Sequence, residues 1–135
     1  MAMTILLVDD NEVNRELLRF VLDNDGHKVL EAVDGEQAVR VAREVLPELI
    51  LMDWQMPVMD GLTATQILKA DPATTHIPII VVTAYAMTGD RERAFAAGCD
   101  EYIAKPVDTI HLCETVARFG RGLTCGPRGS PCAPR

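Results

Sequence analysis

The chain has 135 residues, 48% of them apolar and 24% charged, which suits one soluble globular domain with a substantial core. Its formal charge of −7 argues against a general binder of nucleic acids or anionic membranes, because phosphate-rich partners favour a basic surface. No apolar run approaches the roughly 20 residues of a membrane helix, and no basic segment of a signal peptide precedes the first run. We therefore expect a cytoplasmic protein with no direct nucleic-acid or membrane partner.

Short apolar runs alternate with amphipathic segments along the whole chain. Because the first, third and fourth runs are continuously apolar, they are typical of parallel strands buried on both faces. The runs predicted as strands are Ile5–Val8, Val29–Ala32, Leu49–Met52, Ile79–Val82 and Tyr102–Ala104.

Five helices are predicted between and after these strands. The first is predicted to place one apolar face towards the core, formed by Val13, Leu17, Leu18, Val21 and Leu22, and Gly26 follows it as the C-cap. The other four are predicted at about Glu36–Val45, Leu62–Ala70, Gly89–Ala97 and Thr109–Phe119.

Strict alternation of strands and helices predicts an α/β fold of the flavodoxin-like (βα)5 type. Right-handed crossovers then give a doubly wound, five-stranded parallel sheet with strand order 2-1-3-4-5. We assign residues 1–119 to this domain. Residues 120–135 contain four Gly, three Pro and three Arg with almost no large apolar side chain, and they are predicted to be a disordered tail.

Polar side chains follow four of the five predicted strands. Asp9 and Asp10 follow the first strand and Asp53 the third, while Thr83 and Lys105 follow the fourth and fifth. In an open α/β sheet the ligand crevice lies beyond the carboxyl ends of the strands, at the point where the strand order reverses. We therefore expect three carboxylates, a hydroxyl and an ammonium group to converge there.

This set of groups predicts a phosphoryl-transfer site that uses Mg²⁺. Three crowded carboxylates repel one another, and an oxygen-only ligand set favours a hard cation such as Mg²⁺. An Asp nucleophile can form an acyl phosphate, whose oxygens the metal, a Lys and a Thr can stabilise. Taken singly, an Asp at a strand end is more often a helix N-cap and a Lys a solvated surface group.

Five separate motifs stand out along the chain: Val8-Asp9-Asp10-Asn11, Leu51-Met52-Asp53-Trp54-Gln55-Met56-Pro57, Met59-Asp60-Gly61, Val82-Thr83-Ala84 and Lys105-Pro106. In their order and spacing, they resemble the receiver domains of two-component response regulators, over about residues 4 to 119. A weaker resemblance within the family, carried by the stretch from His76 to Asp90, is to stand-alone receivers of the DivK kind or receivers of hybrid histidine kinases.

The resemblance implies a role for each matching position. Asp53 matches the phospho-acceptor, and Asp9, Asp10, Asp53 and the backbone carbonyl of Gln55 match the groups that hold Mg²⁺. Lys105 matches the lysine that pairs with the phosphoryl oxygens. Thr83 and Tyr102 match the hydroxyl and the aromatic ring that shift when the domain switches.

The resemblance also implies partners. A sensor histidine kinase or histidine phosphotransfer protein would donate the phosphoryl group. A face built from the fourth helix, fifth strand and fifth helix would then change its affinity for a downstream protein. Such a domain is a phospho-acceptor that assists its own phosphorylation and dephosphorylation, and not an enzyme acting on external substrates.

Two other functional classes remain open at this stage. A phosphohydrolase of the haloacid-dehalogenase type would use the same nucleophile, but it would need an acid where Gln55 stands. A flavodoxin-like FMN binder would need a phosphate-cradling loop after the first strand, where Asp9 and Asp10 carry the wrong charge.

Overall fold

The computed structural model describes residues 3–54, 56, 58–83, 89–104 and 108–120. Every predicted strand and helix is present there. The predicted bounds agree with the structure within one residue, but the C-cap of the first helix is Asp25 and not the predicted Gly26. The elements in chain order are β1 Thr4–Val8, α1 Glu12–Asn24, β2 Lys28–Ala32, α2 Gly35–Val45, β3 Leu49–Asp53, α3 Gly61–Ala70, β4 Ile79–Thr83, α4 Asp90–Ala96, β5 Glu101–Ala104 and α5 Thr109–Gly120.

The five strands form one parallel sheet in the order β2-β1-β3-β4-β5, which confirms the predicted topology. Four of the five residues of β1 and every residue of β3 and β4 are buried, whereas β2 and β5 at the edges are partly exposed. The strand order reverses between β1 and β3, so the carboxyl ends of these two strands flank the predicted crevice.

Side chains that alternate along the central strands form two cores, one on each face of the sheet. Leu6, Ile50 and Val81 pack on the face covered by α2, α3 and α4. Leu7, Leu51 and Ile80 lie in the second core, together with residues of α1 and α5. Helices on both faces therefore hold the central strands and the carboxylates at their ends.

The prediction for the apolar face of α1 was wrong in part. Leu18 and Leu22 are buried, but Val13 is 72% exposed and Leu17 55%. Phe20, which was not assigned to that face, is 70% exposed. Because successive helical residues are about 100° apart, Leu18 and Leu22 share one face while Leu17 lies on another. The helix therefore carries two apolar stripes, of which only one packs against the sheet.

Helix ends set the loops at the carboxyl edge of the sheet. The side chains of Asn11, Asp34 and Asp60 accept hydrogen bonds from backbone N–H groups in the first turns of α1, α2 and α3.

At the other end of the chain, α5 continues through Gly120, one residue into the predicted tail, and residues 121–135 lie outside the described residues. None of the helices described is long and apolar enough to cross a membrane.

Candidate functional site

Three carboxylates meet where β1 and β3 end. One ligand oxygen from each of Asp9, Asp10 and Asp53 lies within 4.8 Å of the others. Asp9 and Asp53 are buried, at 2% and 7% exposure, while Asp10 is exposed. The predicted convergence of the acidic side chains is thus present, and the cluster is open to solvent on the side of Asp10.

Hydrogen bonds fix Asp9 at three points. Its N–H donates to the carbonyl of Ala32 (3.1 Å), and its Oδ1 accepts from the N–H of Asn11 (2.9 Å). Its carbonyl oxygen accepts from Nη1 of Arg15 (2.8 Å). The backbone and side chain of this carboxylate are therefore held by β2, by the start of α1 and by an arginine of α1.

Gly61 allows the chain after β3 to fold back closely beside Asp53. The N–H of Gly61 donates to the carbonyl of Trp54 (2.7 Å), and a Cβ at this position would lie 2.1 Å from the carbonyl oxygen of Asp53. Any side chain here would collide with that backbone atom. The Met59-Asp60-Gly61 motif thus ends in glycine for a steric reason, because the start of α3 contacts the backbone at the end of β3.

Thr83 ends β4 at the same edge of the sheet as Asp53 and is fully buried. Asp53 is paired with Val82, so Thr83 lies one residue beyond the level of the carboxylate on the neighbouring strand. Tyr102 lies on β5, paired with Val81, and is half-buried. Burial, and then the negative charge of Asp90, raise the pKa of the Tyr102 hydroxyl above its ordinary value.

Two predicted site residues lie outside the described residues: Gln55, whose backbone carbonyl was predicted as a metal ligand, and Lys105, predicted to contact the phosphoryl oxygens. Their roles stay predictions. The described part of the site therefore contains the three carboxylates, Thr83 and Tyr102.

Two arginines that contact the site were missed from the sequence. The guanidinium of Arg93 on α4 lies 5.3 Å from the centre of the Trp54 ring. Arg15 binds the carbonyl of Asp9 and also forms an ion pair with Glu31 on β2 (3.2 Å). The spacing of these residues along the chain gives no signal for either contact.

The acidic cluster has the ligand chemistry of a hard divalent cation. All three side chains offer carboxylate oxygens, which suit Mg²⁺, and neither nitrogen nor sulfur belongs to this set. The exposure of Asp10 leaves one side of the cluster accessible to water and to phosphoryl oxygens. The residues present therefore fit a magnesium ion that keeps part of its hydration shell.

Comparison with known proteins gives one consistent similarity. The family model described as response regulator receiver domain matches residues 5–117. The polar-differentiation response regulators DivK of Brucella anthropi and Brucella ovis are each 41% identical over 119 residues, covering 88% of this chain and 97% of theirs.

Solved structures agree with this similarity. The receiver domain of a Pseudomonas aeruginosa sensor histidine kinase, solved with a magnesium ion coordinated in its active site cleft, is 39% identical with a TM-score of 0.82 and covers 88% of this chain and 98% of its own. The signal receiver domain of a signal transduction histidine kinase from Syntrophus aciditrophicus is 32% identical with a TM-score of 0.84, covering 89% and 91%.

Proposed function

Because the chain belongs to the family of response regulator receiver domains, the phospho-accepting signalling domains of two-component systems, we propose that Asp53 is its phosphoryl acceptor. The observation that carries this proposal is the meeting of Asp9, Asp10 and Asp53 within 4.8 Å at the switch point of the sheet. Asp53 ends the central strand β3, which pairs directly with β4, the strand that ends at Thr83.

The three carboxylates, with the backbone carbonyl of Gln55, are the groups that would hold Mg²⁺. Bound there, the ion would supply positive charge that offsets the carboxylates and the oxygens of an incoming phosphoryl group. The magnesium ion in the cleft of the Pseudomonas aeruginosa receiver supports this assignment.

Asp53 acts as the nucleophile of the transfer. A carboxylate oxygen forms a bond to the phosphorus of a phosphohistidine, the P–N bond breaks, and its electron pair returns to the imidazole nitrogen, which takes a proton. The product is an acyl phosphate on Asp53. The hydroxyl of Thr83 and the ammonium group of Lys105 donate hydrogen bonds to the phosphoryl oxygens, so the negative charge of the new phosphoryl group attracts both side chains.

The partner that donates the phosphoryl group is a sensor histidine kinase or a histidine phosphotransfer protein. The second apolar stripe of α1, formed by Val13, Leu17 and Phe20, supports its docking there. This helix begins two residues after Asp10, so a partner that places its histidine at Asp53 also lies over the first turns of α1. An exposed apolar stripe next to a site is a feature of partner-binding surfaces.

The output is a change in the face formed by α4, β5 and α5, which binds a downstream protein. Thr83 and Tyr102 lie on adjacent strands, β4 and β5, so a movement of the Thr83 hydroxyl towards the phosphoryl group gives the Tyr102 ring room to follow. Phosphorylation thus shifts the equilibrium between two conformations of this face. The domain does not turn over external substrates.

The test is intact-mass spectrometry of the full chain after incubation with acetyl phosphate, with and without Mg²⁺. The native chain is expected to gain one phosphoryl group only with Mg²⁺, and Asp53→Asn none. Asp60→Asn, a change at the N-cap of α3, is the matched control and is expected to be labelled. Equal labelling of native chain and Asp53→Asn would refute the assignment, as would no labelling by either acetyl phosphate or a phosphohistidine protein.

A further inference from the structure

Arg15 joins the acidic cluster to the edge of the sheet. Its Nη1 donates to the carbonyl oxygen of Asp9 (2.8 Å), and its Nε donates to Oε1 of Glu31 on β2 (3.2 Å). The side chain is only 15% exposed, so both contacts are shielded from competing water. Arg19, one turn further along α1, donates to the other carboxylate oxygen of Glu31 (2.7 Å).

The carbonyl that Arg15 binds belongs to the peptide unit joining Asp9 to Asp10. A peptide unit is planar, so fixing the direction of its C=O also fixes the plane from the Cα of Asp9 to the Cα of Asp10. The Asp9 side chain is already held by the N–H of Asn11, but Asp10 is exposed. The contact from Arg15 therefore restricts the direction in which the exposed carboxylate leaves the backbone.

We propose that Arg15, itself held by Glu31, is a positioning residue for the Mg²⁺ site. This inference rests on the proposed function, since it concerns the ion that Asp9, Asp10 and Asp53 would hold. The residue touches neither the ion nor the phosphoryl group. It acts by keeping the two acidic side chains of the β1–α1 loop in the arrangement that lets both reach the same cation as Asp53.

The positioning role and a purely electrostatic role predict opposite signs. A guanidinium near the cluster repels Mg²⁺, so removing its charge alone would tighten Mg²⁺ binding. Removing the hydrogen bond to the Asp9 carbonyl frees the loop, and Mg²⁺ binding should weaken. The direction of the change in Kd on replacing Arg15 therefore distinguishes the two roles.

Arg19 provides a matched control on the same helix. It shares the Glu31 carboxylate and also forms an ion pair with Asp23 (3.5 Å), and it is 52% exposed. Arg19→Gln removes one positive charge, as Arg15→Gln does, but leaves the bond between Arg15 and the Asp9 carbonyl in place. Because exposed ion pairs contribute little free energy, its effect on Mg²⁺ binding should be small.

The experiment is a Mg²⁺ titration of the full chain, followed by the emission of Trp54, the only tryptophan, and repeated by calorimetry. Arg15→Gln is expected to raise the Kd for Mg²⁺ about 10-fold, and Arg15→Lys, which keeps a donor and the charge, to restore part of the loss. Arg19→Gln should stay within about twofold of the native chain. Unfolding without Mg²⁺ is measured in parallel, since a merely structural role would lower stability and leave the Kd unchanged.

The outcomes separate this inference from the proposed function. If the native chain binds no Mg²⁺, or Asp10→Asn binds it as tightly, the proposed metal site fails. If the native chain binds Mg²⁺ but Arg15→Gln binds it equally or more tightly, only the role of Arg15 is overturned. If Arg15→Gln does not fold, Glu31→Gln is tested in its place, because it weakens the ion pair that holds Arg15. An unchanged Kd for Mg²⁺ in that variant overturns the inference, and a raised Kd supports it.

Discussion

The guanidinium of Arg93 lies 5.3 Å from the centre of the ring of Trp54, the residue that directly follows Asp53. The ring is 8% exposed and lies in the core under α2, α3 and α4, so the cation closes its outer side. A cation over an aromatic face is a favourable contact. It connects α4, part of the proposed output face, to the residue that follows the proposed phosphoryl acceptor.

Replacing Arg93 should expose Trp54. Arg93→Ala removes the guanidinium that covers the ring, and we expect the Stern–Volmer constant for acrylamide quenching to rise about twofold, with a loss of about 0.5–1 kcal/mol in the free energy of unfolding. Arg91→Ala is the matched control, because the guanidinium of Arg91 lies over a different ring, 5.0 Å from the centre of Phe95. Equal quenching in both variants would show that Arg93 does not cover Trp54 in solution.

Gly61 should not tolerate a side chain. In Gly61→Ala the new Cβ would meet the carbonyl oxygen of Asp53, and relief of that collision requires the start of α3 to move away from β3. We expect chemical denaturation to show a loss of about 2 kcal/mol, together with slower labelling of Asp53 by acetyl phosphate. Thr63→Ala, an exposed change in the same helix turn, serves as the control and should leave both unchanged.

The second apolar stripe of α1 should matter for the protein donor only. Leu17→Asp is expected to slow transfer from a phosphohistidine protein at least about tenfold, since an unpaired charge in an apolar contact costs a few kcal/mol. Labelling by acetyl phosphate, which needs no docking, should be unaffected. Val45→Asp at the end of α2, where Val45 is 46% exposed, is the matched control. Equal rates for both variants would place the docking surface elsewhere.

Cys99 should make the fold sensitive to alkaline pH. Burial, and then the negative charges of Asp100 and Glu101, raise the pKa of its thiol to about 12 from 9.0. Above pH 9 the unfolded chain ionises this thiol while the folded chain keeps it protonated, so stability is complete below that pH and falls as the pH rises towards 12.

The size of this effect is checked by urea unfolding of the native chain and Cys99→Ala at pH 7 and pH 10. The native chain should lose about 1 kcal/mol more than the variant between the two pH values. Other groups titrate in this range in both proteins, and the comparison removes their shared contribution. An equal loss in both would mean that the Cys99 thiol ionises as readily in the folded chain as in the unfolded one.

The elements of the fold and the acidic part of the site follow from local sequence. Continuous apolar runs identified β1, β3 and β4, because strands buried on both faces must be apolar throughout. Because strands and helices alternate along the chain, the strands pair in parallel and their carboxyl ends lie at one edge of the sheet. Asp9, Asp10 and Asp53 therefore converge there. No distant contact was needed for these conclusions.

Only the tertiary structure decided which neighbours the remaining side chains meet. Val13 and Leu17 match an apolar helix face as well as Leu18 and Leu22 do, but the rotation of α1 against the sheet buries only the latter pair. In the same way, whether an arginine is solvated or bound depends on what lies opposite it. Arg15 meets the Asp9 carbonyl and Glu31 because α1 packs across β1 and β2, and such contacts depend on helix orientation, which the periodicity of one segment does not contain.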